Sequence, residues 1–228
     1  MSTTHEAQDV RASELVVGDI IEHDYKTWKD RRVVINITKT SAVTVSSIGT
    51  SGRVQLTRKV KGEPKDVLVR KIGHRDLTRQ EIDGLRNYVS MGDYNRAKFR
   101  HGLYNDLPRF ETLFGYAEGE GPTGFGDDGE TVRTITSSGN PDGDKVEIAR
   151  WMRPDYSSTE RPAPEKAVYG ARVISGEHGF MIGYVRANLP SEESAEVAAD
   201  LYLGKRYFDG WDVEDALQQA RFLTDAVI

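Results

Sequence analysis

Arg32-Val33-Val34-Ile35-Asn36-Ile37-Thr38 and, after a short break, Ala42-Val43-Thr44-Val45-Ser46-Ser47-Ile48 decide how the first half of this chain folds. The first stretch is dense in β-branched residues, whose stiff side chains suit a pleated strand. The second alternates apolar and polar with period two, the mark of a strand buried on one face. Gly49-Thr50-Ser51-Gly52 is a turn, and Arg53-Val54-Gln55-Leu56-Thr57 alternates again. Upstream, Leu15-Val16-Val17 and Ile20-Ile21 read as one strand bent at Gly18-Asp19. Downstream, Gly62-Glu63-Pro64 breaks the chain, and Val67-Leu68-Val69-Arg70-Lys71-Ile72 closes the set. Residues 10–75 therefore predict a small five-stranded antiparallel β-barrel, since closure removes the bare edges of so short a sheet. Residues 1–9 read as a disordered lead-in.

The same block carries the chain's charge asymmetry. From His23 to Arg75 there are 13 Lys and Arg against 4 Asp and Glu, about +9 in a chain of net charge −5. A basic, strand-patterned block joined to an acidic remainder predicts a surface that meets an anion, with nucleic acid the first to consider. Lys26, Lys29, Arg31 and Arg32 cluster around Tyr25 and Trp28, and Arg58, Lys59 and Lys61 lie near the next turn. Aromatics beside cations permit base stacking, worth about 1–3 kcal/mol per base. Two plainer readings stand beside this one. Lys and Arg on the outside of a small barrel are ordinary solvated residues, and the acidic remainder can neutralise them within the molecule.

In pattern, Ala12-Ser13-Glu14-Leu15-Val16-Val17-Gly18-Asp19-Ile20-Ile21 and the strands after it resemble small barrels of the Src-homology or KOW type, over residues 10–73. The resemblance implies a closed barrel and leaves the function open, since such barrels serve many. The whole chain, Cys-free and with a short N-terminal barrel, resembles actinobacterial or bacteriophage proteins in make-up.

Helical signals follow. Thr78-Arg79-Gln80-Glu81 is a capping box, and Ile82, Leu85 and Val89 share the face of the helix it opens. Tyr94 to His101 predicts a second short helix that adds Arg96, Lys98 and Arg100 to the anion-binding set, Arg96 and Arg100 being one turn apart. Residues 76–116 thus form a helical connector, and the Gly-rich, acidic stretch 117–130 a flexible loop.

Residues 131–228 predict an acidic α+β domain, an antiparallel sheet with two helices on one face. Two hairpins are expected, one turning over Ser137 to Asp144 and one over Gly176-Glu177-His178-Gly179. Ser191 opens a helix that Gly204 stops, and Asp212 caps the last one. Gly179 to Val185 followed by Pro190-Ser191-Glu192-Glu193 resembles the last strand and helix start of three-stranded DNA-binding domains of the ethylene-response-factor and integrase-arm types. That resemblance carries no function here, because Arg172 and Arg186 are too sparse a set of cations.

Other chemistry finds little support. With no Cys in the chain there are no disulfides and no thiolate zinc sites. The five His lack metal-ligand spacing. Asn140-Pro141-Asp142-Gly143-Asp144 places oxygens at alternate positions, but Lys145 and Trp151 stand where a calcium loop needs Gly and Glu. Glu177-His178 pairs an acid with a His without a nucleophile beside it. No apolar run is long enough to span a membrane, and the polar start shows no signal peptide, so a cytoplasmic protein is expected. The expectation is a non-enzymatic binding protein without cofactor or metal. Its basic barrel would contact nucleic acid or another anionic surface, and its acidic domain would contact a protein partner or modulate that binding. A structural or assembly protein, as of a virion, is the alternative, and a hydrolase using Asp127, Asp128, Asp142 or Asp144 the third.

Overall fold

A computed structural model describes residues 7–24, 29–104, 107–117, 129–155, 157–160 and 162–228. Tyr25, Lys26, Trp28, Asp127, Asp128 and most of the Gly-rich loop at 117–130 lie outside the described residues. The chain is mixed α+β, with all its strand pairs antiparallel, and forms two compact units. One unit comprises Met1–Met91 and Lys98–Phe125, the other Gly92–Ala97 and Gly126–Ile228.

The first unit is built on six strands: β1 (Gln8–Arg11), β2 (Asp19–Asp24), β3 (Lys29–Ile37), β4 (Ser41–Ser46), β5 (Ser51–Gln55) and, further on, β8 (Leu68–His74). Their order across the sheet is β1-β8-β2-β3-β4-β5. Between β5 and β8 the chain leaves the sheet as a separate two-stranded ribbon, β6 (Thr57–Val60) and β7 (Glu63–Asp66). Strand period two divides the apolar residues between two faces. Ile21, Val34, Ala42, Val54 and Val69 pack together on one face with Ala12 and Leu15. Ile20, Val33, Ile35 and Val45 pack on the other against Leu85, Tyr88, Phe99, Phe110, Leu113 and Phe114. Those last six come from α1 (Arg79–Ser90), α2 (Asp93–Arg100) and α3 (Phe110–Phe114), so α1 and α3 are a packed layer on the sheet rather than a connector.

The barrel expected for residues 10–75 is corrected to an open sheet. No pairing joins β1 to β5 among the described residues. The reason lies at both ends: β1, drawn from what reads as lead-in, takes the outer edge of β8, and β5 runs on into the ribbon. Where the ribbon leaves the sheet, Val67 N donates to Leu56 O at 3.4 Å. Glu63-Pro64, expected as a break, is part of β7.

The second unit is a four-stranded meander, β9 (Glu130–Ser137), β10 (Asn140–Pro154), β11 (Glu165–Ile174) and β12 (Met181–Leu189), in the order β12-β11-β10-β9. Helices α4 (Glu192–Leu203) and α5 (Val213–Val227) cover one face through Ala195, Ala198, Ala199, Tyr202, Ala216, Leu217 and Ala220. Ser191 and Asp212 cap them as expected, accepting from the amides of Ser194 and Asp215. Gly204 does not stop the helical path. It takes ordinary helical angles and opens a π-helical turn, Gly204–Phe208.

Candidate nucleic-acid interface

The structure separates the candidate cations into two groups by their partners. Lys29, Arg31 and Arg32 lie on β3, where the sheet itself supplies the counter-charge. Asp30, fully buried, accepts from Arg32 Nε at 2.6 Å and from Ser46 Oγ at 2.5 Å. Glu22 on the neighbouring strand faces Lys29 at 3.4 Å, Arg70 at 3.6 Å and Arg31 at 4.0 Å. Arg31 also donates to the Gly115 carbonyl and lies 4.2 Å over the Tyr116 ring. Asp19 takes Lys71 at 2.6 Å and His74 Nδ1 at 2.8 Å. Three acids in or just before the basic block thus neutralise much of it from within. Burial, with Arg32 beside it, also lowers the His23 imidazole below its ordinary range, so His23 adds no cation here at neutral pH.

The second group is on the ribbon. Arg58, Lys59, Lys61 and Lys65 are exposed, and none forms an ion pair among the described residues. The register opposes Arg58 to Lys65 and Lys59 to Pro64. By strand alternation the first pair occupies one face of the ribbon and Lys59 the other. Lys61 sits at the tip with φ 52°, followed by Gly62 at φ 89°. Two successive positive φ values are what a tight two-residue hairpin turn requires, and Lys in that conformation is uncommon. Of the ribbon's two acids, Asp66 is 3.5 Å from Arg11 and Glu63 has no ion pair among the described residues. Lys39, in the turn beside Thr40, also has no ion pair among the described residues; Thr40 O accepts from Leu56 N at 3.0 Å, which sets Lys39 at the ribbon's base.

The three cations of α2 lie on one continuous helix, Asp93–Arg100, with Arg96 and Arg100 one turn apart as expected. Arg96 belongs to the second unit, with Asp93 at 3.4 Å, while Lys98 and Arg100 belong to the first. Lys65, just beyond Arg58, Lys59 and Lys61 in the sequence, joins them on the ribbon, and the polarity of Thr57 to Asp66 on both strand faces marks a ribbon without a core.

Of the acidic candidates among the described residues, Asp142 is exposed on β10, whereas Asp144 is held by structural contacts. Asp144 is buried; its carboxylate accepts from Tyr202 Oη at 2.8 Å, Gly176 N at 3.0 Å and Arg206 Nε at 3.2 Å. Burial, reinforced by the Asp144 charge, pushes the Tyr202 hydroxyl well above its ordinary range. Glu177 accepts from Tyr94 Oη at 3.3 Å, and His178 stacks on Phe180 at 5.3 Å. Arg172 is held by Glu147 at 2.8 Å and Arg186 by Asp225. Among the described residues no group of three or more His, Asp or Glu is placed to hold a metal ion, and no helix is long and apolar enough to cross a membrane.

Comparison with protein-family models, with curated proteins and with solved structures finds no match to this chain.

Proposed function

We propose that this protein binds nucleic acid through the β6–β7 ribbon, by contacts to phosphate. One observation carries the reading: Arg58, Lys59, Lys61 and Lys65 project from an exposed ribbon with no ion pair among the described residues, while Lys29, Arg31, Arg32, Arg70 and Lys71 of the neighbouring sheet are paired with acids. A folded ribbon with no apolar face has no packing reason to hold like charges opposite each other, and like pairs directly opposed are destabilising. An anion laid along it removes that repulsion. Four phosphate contacts give a log–log salt slope of roughly −3.6 on duplex DNA. The test is binding of the full chain to a labelled duplex across a salt series. Affinity is expected to fall about 100-fold between roughly 50 and 200 mM salt. Binding that is absent at low salt, or insensitive to salt, overturns the reading.

A second contact, with a protein, is favoured by Phe208, which is 93 % exposed at the π-helical turn of the acidic unit. Large exposed aromatics are enriched at interfaces. Light scattering of the purified chain tests this reading in its self-association form, since a Phe208→Asp change is expected to dissociate any oligomer.

A further inference from the structure

We infer that the nucleic acid met by the ribbon is B-form double-stranded DNA, entered through its major groove. The inference rests on the nucleic-acid reading above and adds the form of the ligand.

Shape is the first reason. The major groove of B-DNA, about 12 Å wide and 8.5 Å deep, admits a two-stranded β-ribbon. Each ribbon strand has four residues, which span roughly 13 Å, enough to reach the groove floor. The major groove of an RNA duplex is too narrow for side chains to read.

The placement of charge is the second reason. A groove has phosphates along both walls, whereas a single strand runs as one track. The ribbon carries cations on both faces, Arg58 and Lys65 on one and Lys59 on the other, with Lys61 at the tip.

The third reason is what the ribbon lacks. Thr57 to Asp66 contains no aromatic residue, and single-strand binders rely on aromatic platforms for stacking. Glu63, next to the turn, is unfavourable against a phosphate track but matches the amino group of cytosine on the groove floor, where a carboxylate accepts from N4.

The test uses the full chain and three labelled probes of one sequence and length: duplex DNA, its single strand, and the RNA duplex. Duplex DNA is expected to bind roughly tenfold or more tightly than either of the others, the size of a lost set of groove contacts. Equal or tighter binding of the single strand or the RNA duplex overturns the groove assignment and leaves nucleic-acid binding standing. No binding of any probe overturns both. Two variants check the two-walled seat: Arg58→Gln with Lys65→Gln, and Lys59→Gln alone. Each is expected to weaken duplex binding, and an unchanged affinity for Lys59→Gln contradicts contact with both walls.

Discussion

Arg58 stands directly opposite Lys65 across the β6–β7 ribbon, two cations held in register with no acid paired to either among the described residues. Elsewhere in the same unit the fold does the reverse, surrounding Glu22 with Lys29, Arg31 and Arg70. The unliganded ribbon is therefore under electrostatic strain. Changing Lys65 to Glu replaces the repulsion by a cross-strand ion pair. The gain, about 0.5–1 kcal/mol, slows amide exchange within the ribbon, measured by native-state hydrogen exchange. The same variant binds duplex DNA more weakly. Effects of opposite sign on fold and binding distinguish a binding ribbon from an ordinary solvated one.

Lys61 occupies a left-handed position at the ribbon's turn, with φ 52°. Asn adopts that conformation more readily and is favoured in such turns. Lys61→Asn is expected to keep or improve the ribbon while removing one phosphate contact, so that the salt slope becomes shallower by about 0.9. An unchanged slope would place Lys61 outside the interface.

Much of the sheet was legible in the sequence because burial on alternate faces leaves a period-two signal, as in Val43, Val45 and Val54. The Thr78–Glu81 capping box is formed with both reciprocal hydrogen bonds. What escaped has physical causes. β1 is four mostly exposed residues whose pairing partner, β8, lies some sixty positions downstream, from Gln8 to Lys71. The ribbon has no apolar face, so Glu63-Pro64 read as a break. The partition of the cations was invisible, since it depends on cross-strand neighbours: Glu22 falls just before the basic block in sequence and reaches three of its members in space. The start of α2 is equally non-local, because the Asp93 and Tyr94 amides donate to Glu214, each at 3.0 Å.

Asp30 is the buried hub of the first sheet, bonded to Arg32, Ser46 and, at 3.4 Å, Ser47. Removing it takes the 2.6 Å carboxylate contact from the Arg32 guanidinium, itself only 16 % exposed. Asp30→Ala is expected to destabilise the chain by about 3–5 kcal/mol in denaturant titrations. A loss confined to about 1 kcal/mol, as for a surface ion pair, would show that the buried pair contributes little.

Acid should weaken the fold in two stages. Burial and Arg32 depress His23, so the unfolded chain takes up its proton first, and stability falls as pH drops below the ordinary His value of about 6.5. Burial pushes the Glu81 carboxyl up, but hydrogen bonds from Thr78 and Arg75 outweigh this and hold it below its ordinary range. Its contribution is complete above the usual Glu value of about 4.3 and is lost as pH falls through the depressed one. Burial lowers His101 in the same way, so thermal melts of His23→Gln should show a smaller first decline, and those of Glu81→Gln should start less stable and lose less in the second.

The most direct measurement compares the salt dependence of duplex-DNA binding by the native chain with that of a variant carrying Arg58→Gln, Lys59→Gln, Lys61→Gln and Lys65→Gln. If the ribbon is the binding surface, the native slope is roughly −3.6 and the variant's falls to near zero, with most of the affinity lost. A variant that keeps the native slope and affinity contradicts this assignment and moves the search to Arg53 and Arg70.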